Sequence, residues 1–124
     1  MRTPWLTSVL LAALALPDPA AAQGGGFVGR ETREVVEICA VGREHARYEE
    51  ARAFCHGYLT GLYSAVLAAR APNAPPLHCN LPQSRQEGVD RFVAWARANP
   101  TTLAEFPPNS FLRFMDATYA CPRR

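Results

Sequence analysis

Four cysteines, Cys39, Cys55, Cys79 and Cys121, all lie downstream of a segment built like a cleavable export signal, and these two features restrict the chain more than any others. In residues 1–22, Arg2 supplies a positive start, Trp5 to Leu16 an apolar core, and Ala20-Ala21-Ala22 the small side chains a signal peptidase requires. The apolar run is about a dozen residues long, too short to cross a hydrocarbon core of roughly 30 Å as a helix. Pro17-Asp18-Pro19 follows it in place of a stop-transfer stretch. Cleavage is expected between Ala22 and Gln23, releasing a soluble protein into an oxidising space. An even number of cysteines in a small exported domain points to two disulfides before a metal or redox site. A mature chain of about a hundred residues buries only part of its unfolded surface. Each bridge would then add roughly 2–4 kcal/mol, mainly by restricting the unfolded chain.

Composition excludes more than it identifies. Formal net charge is +2, from thirteen Arg and no Lys against eleven acids. The arginines are spread along the chain, so no basic block marks a nucleic-acid footprint. Hydrophobic residues make up 48% of the sequence, which favours a packed domain over a disordered one.

Residues 23–30 open on Gln23-Gly24-Gly25-Gly26 and are expected to form a flexible leader. A single all-α domain of about four helices is expected over residues 31–124. The first helix is placed at 31 to about 40, capped by Thr32, with Val35, Val36, Ile38 and Cys39 on its apolar side and Gly42 as its stop. The second is placed at 48–69, where Ala51, Phe54, Cys55, Tyr58, Leu59, Leu62, Val66 and Ala69 recur at spacings of three and four. It carries Gly57 and Gly61 on one face. Each interior glycine costs about 1 kcal/mol relative to Ala, which predicts that another backbone approaches there. Three prolines break residues 71–76, and residues 77–82 are expected to be extended. Ser84-Arg85-Gln86-Glu87 is a capping box that starts a third helix, with Val89, Phe92, Val93 and Ala96 buried and Asn99-Pro100 ending it. Thr102 with Glu105 is expected to cap a single turn. Pro107-Pro108 opens a last helix that buries Phe111, Leu112, Met115 and Tyr119. Tyr48, Tyr63 and Trp95 lie off the main stripes and are candidates for a contact surface; the competing reading is that Trp95 covers the edge of the core.

Catalytic and metal readings find little support. Cys55-His56 and His78-Cys79 invite a thiol with its imidazole base, but neighbours on a helix point about 100° apart. Zinc sites show tight ligand pairs, and the cysteines here are widely separated. Glu31, Glu34, Glu37, Glu49 and Glu50 sit where solvated helix faces carry charge, while Glu87 and Glu105 are assigned to caps. Gly24 to Gly26 lacks the strand and Lys of a phosphate loop. No enzymatic activity, cofactor or metal is expected.

Phe54-Cys55-His56-Gly57-Tyr58-Leu59-Thr60-Gly61, then His78-Cys79-Asn80-Leu81-Pro82, then a helix ending in Ala98-Asn99-Pro100, and a last helix closing on Cys121 together resemble the Rap/Tai family of type VI secretion immunity proteins. The residues that carry the likeness are Cys55, Gly57, Tyr58, Gly61, Cys79, Pro82, Pro100 and Cys121. Departures are the ending Tyr119-Ala120-Cys121-Pro122, Gln83-Ser84 after Pro82, and the proline-rich 71–76 loop. The resemblance implies a small periplasmic helical protein, often a homodimer, that binds and blocks a peptidoglycan-cleaving amidase. The matching residues are scaffold; contact would fall on variable surface. The stiffened loop at 70–78 is expected to protrude, with Arg70, Asn73 and His78 as contact residues. Four cysteines allow three connectivities. Cys55–Cys79 with Cys39–Cys121 is the expected pairing, on the view that the extended segment runs back along the second helix. Competing functions are a periplasmic module of structural role, since fold likeness does not establish function, and an acid-stress chaperone, which the balanced charge disfavours.

Overall fold

The computed structural model describes residues 26–123; the expected signal segment and residues 23–25 lie outside them. The order is α1 (Thr32–Cys39), α2 (Tyr48–Ala68), α3 (Arg85–Ala98), a 3-10 turn (Pro100–Ala104) and α4 (Pro107–Tyr119). No strand occurs among the described residues; the one sheet-like pairing is an antiparallel bridge between His78 and Ala120. Helix starts follow local chemistry. Ser84 Oγ accepts from Glu87 N–H at 3.1 Å, as a capping serine should. The Glu87 carboxylate reaches back to Gln83 N–H at 2.9 Å, one residue beyond the usual capping-box donor. Pro107 and Pro108 occupy the first turn of α4, where no intrahelical donor is needed.

Val35 and Val36 from α1, Cys55 and Leu59 from α2, four residues of α3 and four of α4 form the core. An aromatic cluster fills its centre: Phe92 meets Phe114 at 5.5 Å and Phe111 at 5.8 Å between ring centroids, in the edge-on geometry that ring quadrupoles favour. Trp95 leans on Phe114 from the rim, in line with the core-edge reading. In α4 it is Phe114 that is buried, while Leu112 is only half-buried. Phe111, Phe114, Met115 and Tyr119 share the stripe with Ser110, and Leu112 lies beside it.

Burial along α2 fades. Ala51, Cys55 and Leu59 are buried, Val66 is half-buried, Leu67 is 45% exposed and Ala69 is exposed. The helix has 21 residues against 8 in α1 and 14 in α3, so its C-terminal end outruns its neighbours. Part of the expected leader is seated on the bundle: Phe27 packs on Phe54 at 5.8 Å, beneath the Arg47 guanidinium at 4.3 Å.

Thr32 does not cap α1; Glu31 is the N-cap residue and makes no side-chain cap bond. Thr32 is instead fully buried in a polar knot. Its N–H donates to the Glu105 carbonyl at 2.9 Å, and its hydroxyl lies 3.0 Å from that carbonyl and 2.5 Å from Ser110 Oγ. Ser110 also donates to the Pro107 carbonyl at 3.0 Å. The knot ties α1 to the chain just before α4 and to the first turn of α4. Glu105 serves it through its backbone and pairs its carboxylate with Arg113, so its side chain is not the cap expected, although its N–H closes the 3-10 turn onto the Thr102 carbonyl at 3.0 Å. Thr102 is buried and donates to the Asn99 carbonyl at 2.7 Å, closing the 3-10 turn from within.

The disulfides correct the expected pairing. They are Cys39–Cys55 and Cys79–Cys121, with Cα separations of 5.6 and 4.8 Å. Residues 40–47 fold the second turn of α2 back beside the last residue of α1, which brings Cys55 to Cys39. The extended segment runs along the end of α4 and not along α2: Cys79 N–H donates to the Tyr119 carbonyl at 2.7 Å, next to the His78–Ala120 bridge. Asn80 then takes the left-handed conformation at φ 54°, turning the chain toward Pro82, a shape Asn tolerates better than most residues. Pro82 packs against α3 at Gly88, where a Cβ would sit 3.2 Å from its ring.

Replacing Thr32 by Val keeps the shape of the knot and removes its hydroxyl. Stability should fall by about 1–3 kcal/mol, read as a lower urea midpoint at unchanged slope. An unchanged midpoint would show that the knot contributes nothing.

Candidate partner-binding surface

The sulfur and imidazole groups that invited catalytic readings are dispersed. All four cysteines are in disulfides. His56 Nε2 bridges to Gln86 Oε1 of α3 at 2.9 Å, His45 Nδ1 accepts from Arg47 N–H at 3.1 Å, and His78 Nε2 meets Asp116 Oδ1 at 2.9 Å. Among the described residues no three His, Cys, Asp or Glu converge as a metal site would require. Carboxylates are spread over surface ion pairs such as Arg47–Glu50 and Arg52–Glu49. Hydrogen bonding to Glu49 raises the Arg52 pKa, and burial raises that of Tyr58, whose ring stacks on Phe54. Neither shift poises a group for proton transfer near neutral pH.

The 70–78 loop divides into scaffold and surface. His78, expected as a contact residue, is only 5% exposed, set between Asp116 and the Tyr63 ring at 5.7 Å, and so is withdrawn from contact. Its place beside a proline-rich stretch gave no hint of burial; only the pairing of this segment with the end of α4 encloses it. Arg70 is half-buried and folds its guanidinium onto the Pro75 carbonyl at 2.6 Å, closing the loop at its base. Asn73 stands exposed at the turn that Ala74 N–H closes onto the Ala71 carbonyl. The loop is thus anchored by Arg70, His78 and the Cys79–Cys121 bridge, and it exposes Asn73, three prolines and Leu77.

The glycine face of α2 also differs from expectation. A Cβ built at Gly57 or Gly61 would meet no atom within 4 Å. No backbone of the described residues approaches there, so packing among them does not account for either glycine. Leu67, Leu77 and Leu81, between 37% and 45% exposed, lie at the end of this helix and in the segment after it. A concavity of about 310 Å³ opens between α2, α3 and residues 81–85, floored by Leu59, Met115 and Tyr119. Tyr119 is 2% exposed and its hydroxyl has no hydrogen-bond partner among the described residues.

A family model for Rap1a immunity proteins matches residues 31–121, from the N-cap of α1 to the last cysteine. The chain belongs to this immunity-protein family. Searches of curated proteins and of solved structures return no match. Membership carries a role in immunity to a type VI secreted effector and implies that the chain binds such a protein. The two disulfides fit the periplasmic setting of such a protein, and no described helix is long and apolar enough to cross a membrane. The resemblance read from the motif order therefore holds across nearly the whole of the described fold.

Gly57→Ala should stabilise the isolated protein by about 1 kcal/mol, seen as a melting temperature several degrees higher. A drop in melting temperature would mean that the face is occupied within the folded chain.

Proposed function

We propose that this protein neutralises a peptidoglycan-cleaving amidase delivered by a type VI system, by covering the catalytic cleft of that enzyme with a rigid surface. The observation that carries the reading is the family match over residues 31–121. The loop at 70–78 supports it, because a segment already held by Arg70, His78 and a disulfide loses little freedom on binding. The proposal includes export to the periplasm with cleavage near Ala22 and Gln23, where such an amidase would act. Inhibition by occlusion needs no reactive group on the inhibitor. It needs a shape that survives in a compartment without reducing power, which the disulfides provide.

The direct test is protection. Type VI amidase effectors, directed one at a time to the periplasm of a susceptible host, should lyse cells, and co-expression of this protein should prevent lysis for its cognate enzyme. Lysis by every effector at full levels of exported protein would contradict the proposal. With the cognate enzyme in hand, Asn73→Ala combined with Leu77→Ala should weaken inhibition about tenfold, on the order of 1.4 kcal/mol. Unchanged inhibition would remove the loop from the contact surface.

A further inference from the structure

The seam between α2 and α3 is concave along its length. One hollow of about 420 Å³ is lined by Arg43, Ala51, Arg52, Val89, Asp90 and Arg97. A second, around Arg52, His56, Gly57 and Arg85, shares Arg52 with the first. The hollow beside Leu81 shares His56 and Arg85 with the second and Val89 with the first. The three adjoin along the seam through these shared walls and are taken together as one groove, across which His56 of α2 is hydrogen-bonded to Gln86 of α3.

Charge along this groove is unbalanced. Arg47, Arg52, Arg91 and Arg113 pair with Glu50, Glu49, Glu87 and Glu105. Arg43, Arg85 and Arg97 line the groove, are exposed, and have no carboxylate partner among the described residues. Of the acids beside the groove, Glu49 pairs with Arg52, Asp90 accepts from the Gln86 amide at 2.8 Å, and the Glu44 carboxylate lies against Gly42, which leaves the four groove arginines in excess. Two residues on its walls work against the stability of the free protein. Arg85 is the first residue of α3, where the positive end of the helix disfavours a cation. Gly57 sits mid-helix with open space where its side chain would be. Local conflicts of this kind gather where a surface serves binding. A missing Cβ lets a foreign backbone come close, and unpaired guanidiniums attract carboxylates through charge-assisted hydrogen bonds.

We propose that this groove receives an acidic segment of the partner protein, its backbone at Gly57 and its carboxylates on Arg85 at the centre and Arg43 and Arg97 toward one end. The inference builds on the immunity reading above and specifies the chemistry of the partner: an acidic, extended stretch of polypeptide with apolar side chains for the end beside Leu81. Opposite charge across the rim should act mainly on association rate and salt dependence.

The test titrates the ¹⁵N-labelled protein with a seven-residue peptide alternating Glu with Leu and Gly, and with its Gln counterpart. The Glu peptide should shift amide signals at Gly57, Arg85, Gln86 and Arg97, and the effect should fade as salt is raised. Arg85→Glu with Arg97→Glu should weaken binding at least tenfold, while Arg33→Glu, which changes bulk charge away from the groove, should leave it within twofold. Gly57→Ala should keep the fold and weaken binding. Equal shifts with the Gln peptide, shifts spread over Arg30, Arg33 and Arg123, or no shifts would each overturn the proposal. Protection assays separate the two levels of inference. A double Arg→Glu variant that still neutralises the effector at unchanged affinity sinks the groove and leaves immunity standing. A wild-type protein that protects against no effector sinks the immunity reading itself.

Discussion

The extended segment between α2 and α3 has no helix or sheet of its own, and what holds it is the bond from Cys79 to Cys121. Beside that bond, Cys79 donates to the Tyr119 carbonyl and His78 is enclosed against Asp116. The position of nearly every functional candidate descends from this attachment. Upstream, it fixes one foot of the 70–78 loop. Downstream, it sets the turn at Asn80 that lays Pro82 on Gly88 and delivers Ser84 to cap α3. Closing a loop of 42 residues restricts the unfolded chain by about 4 kcal/mol in the chain-entropy account, more than the 16-residue loop closed by Cys39–Cys55. For a domain this small, that is a large share of a typical net stability.

Function follows from how the stiffness is distributed. The α1–α2 bridge and the Thr32–Ser110 knot secure one side of the core, and the second bridge secures the other. Between them α2 runs past the bundle, leaving its glycine face and Leu67 uncovered. A protein that acts by fitting against another must keep its contact surface exposed and still hold its shape. Here the covalent links hold the scaffold, which leaves α2 free to carry residues that packing alone would not select. Gly57 and Arg85 are the clearest of these.

Much of the fold was legible because its signals are local. Ser84 and Glu87 announce the start of α3, Pro107-Pro108 the start of α4, and the spacing of Ala51, Cys55 and Leu59 the buried side of α2. The misreadings all needed knowledge of which segments meet. Thr32 looks like a cap residue until α4 brings Ser110 beside it. Val66 and Ala69 continue the apolar spacing of α2, but no neighbour is long enough to cover them. The cysteine pairing turns on whether residues 77–80 follow α2 or α4, and side-chain pattern is silent on that choice. His78 reads as exposed loop for the same reason. The groove escaped sequence reading altogether, since Arg43, Arg85 and Arg97 are far apart in the chain and share a surface only once α2 lies along α3.

The central claim is that two specific covalent links create the binding shape, so the most direct measurement is mass-spectrometric peptide mapping of the unreduced protein taken from the periplasm. The account predicts one linked fragment containing Cys39 with Cys55 and another containing Cys79 with Cys121. A fragment joining Cys55 to Cys79, or free thiols at any of the four positions, would contradict it.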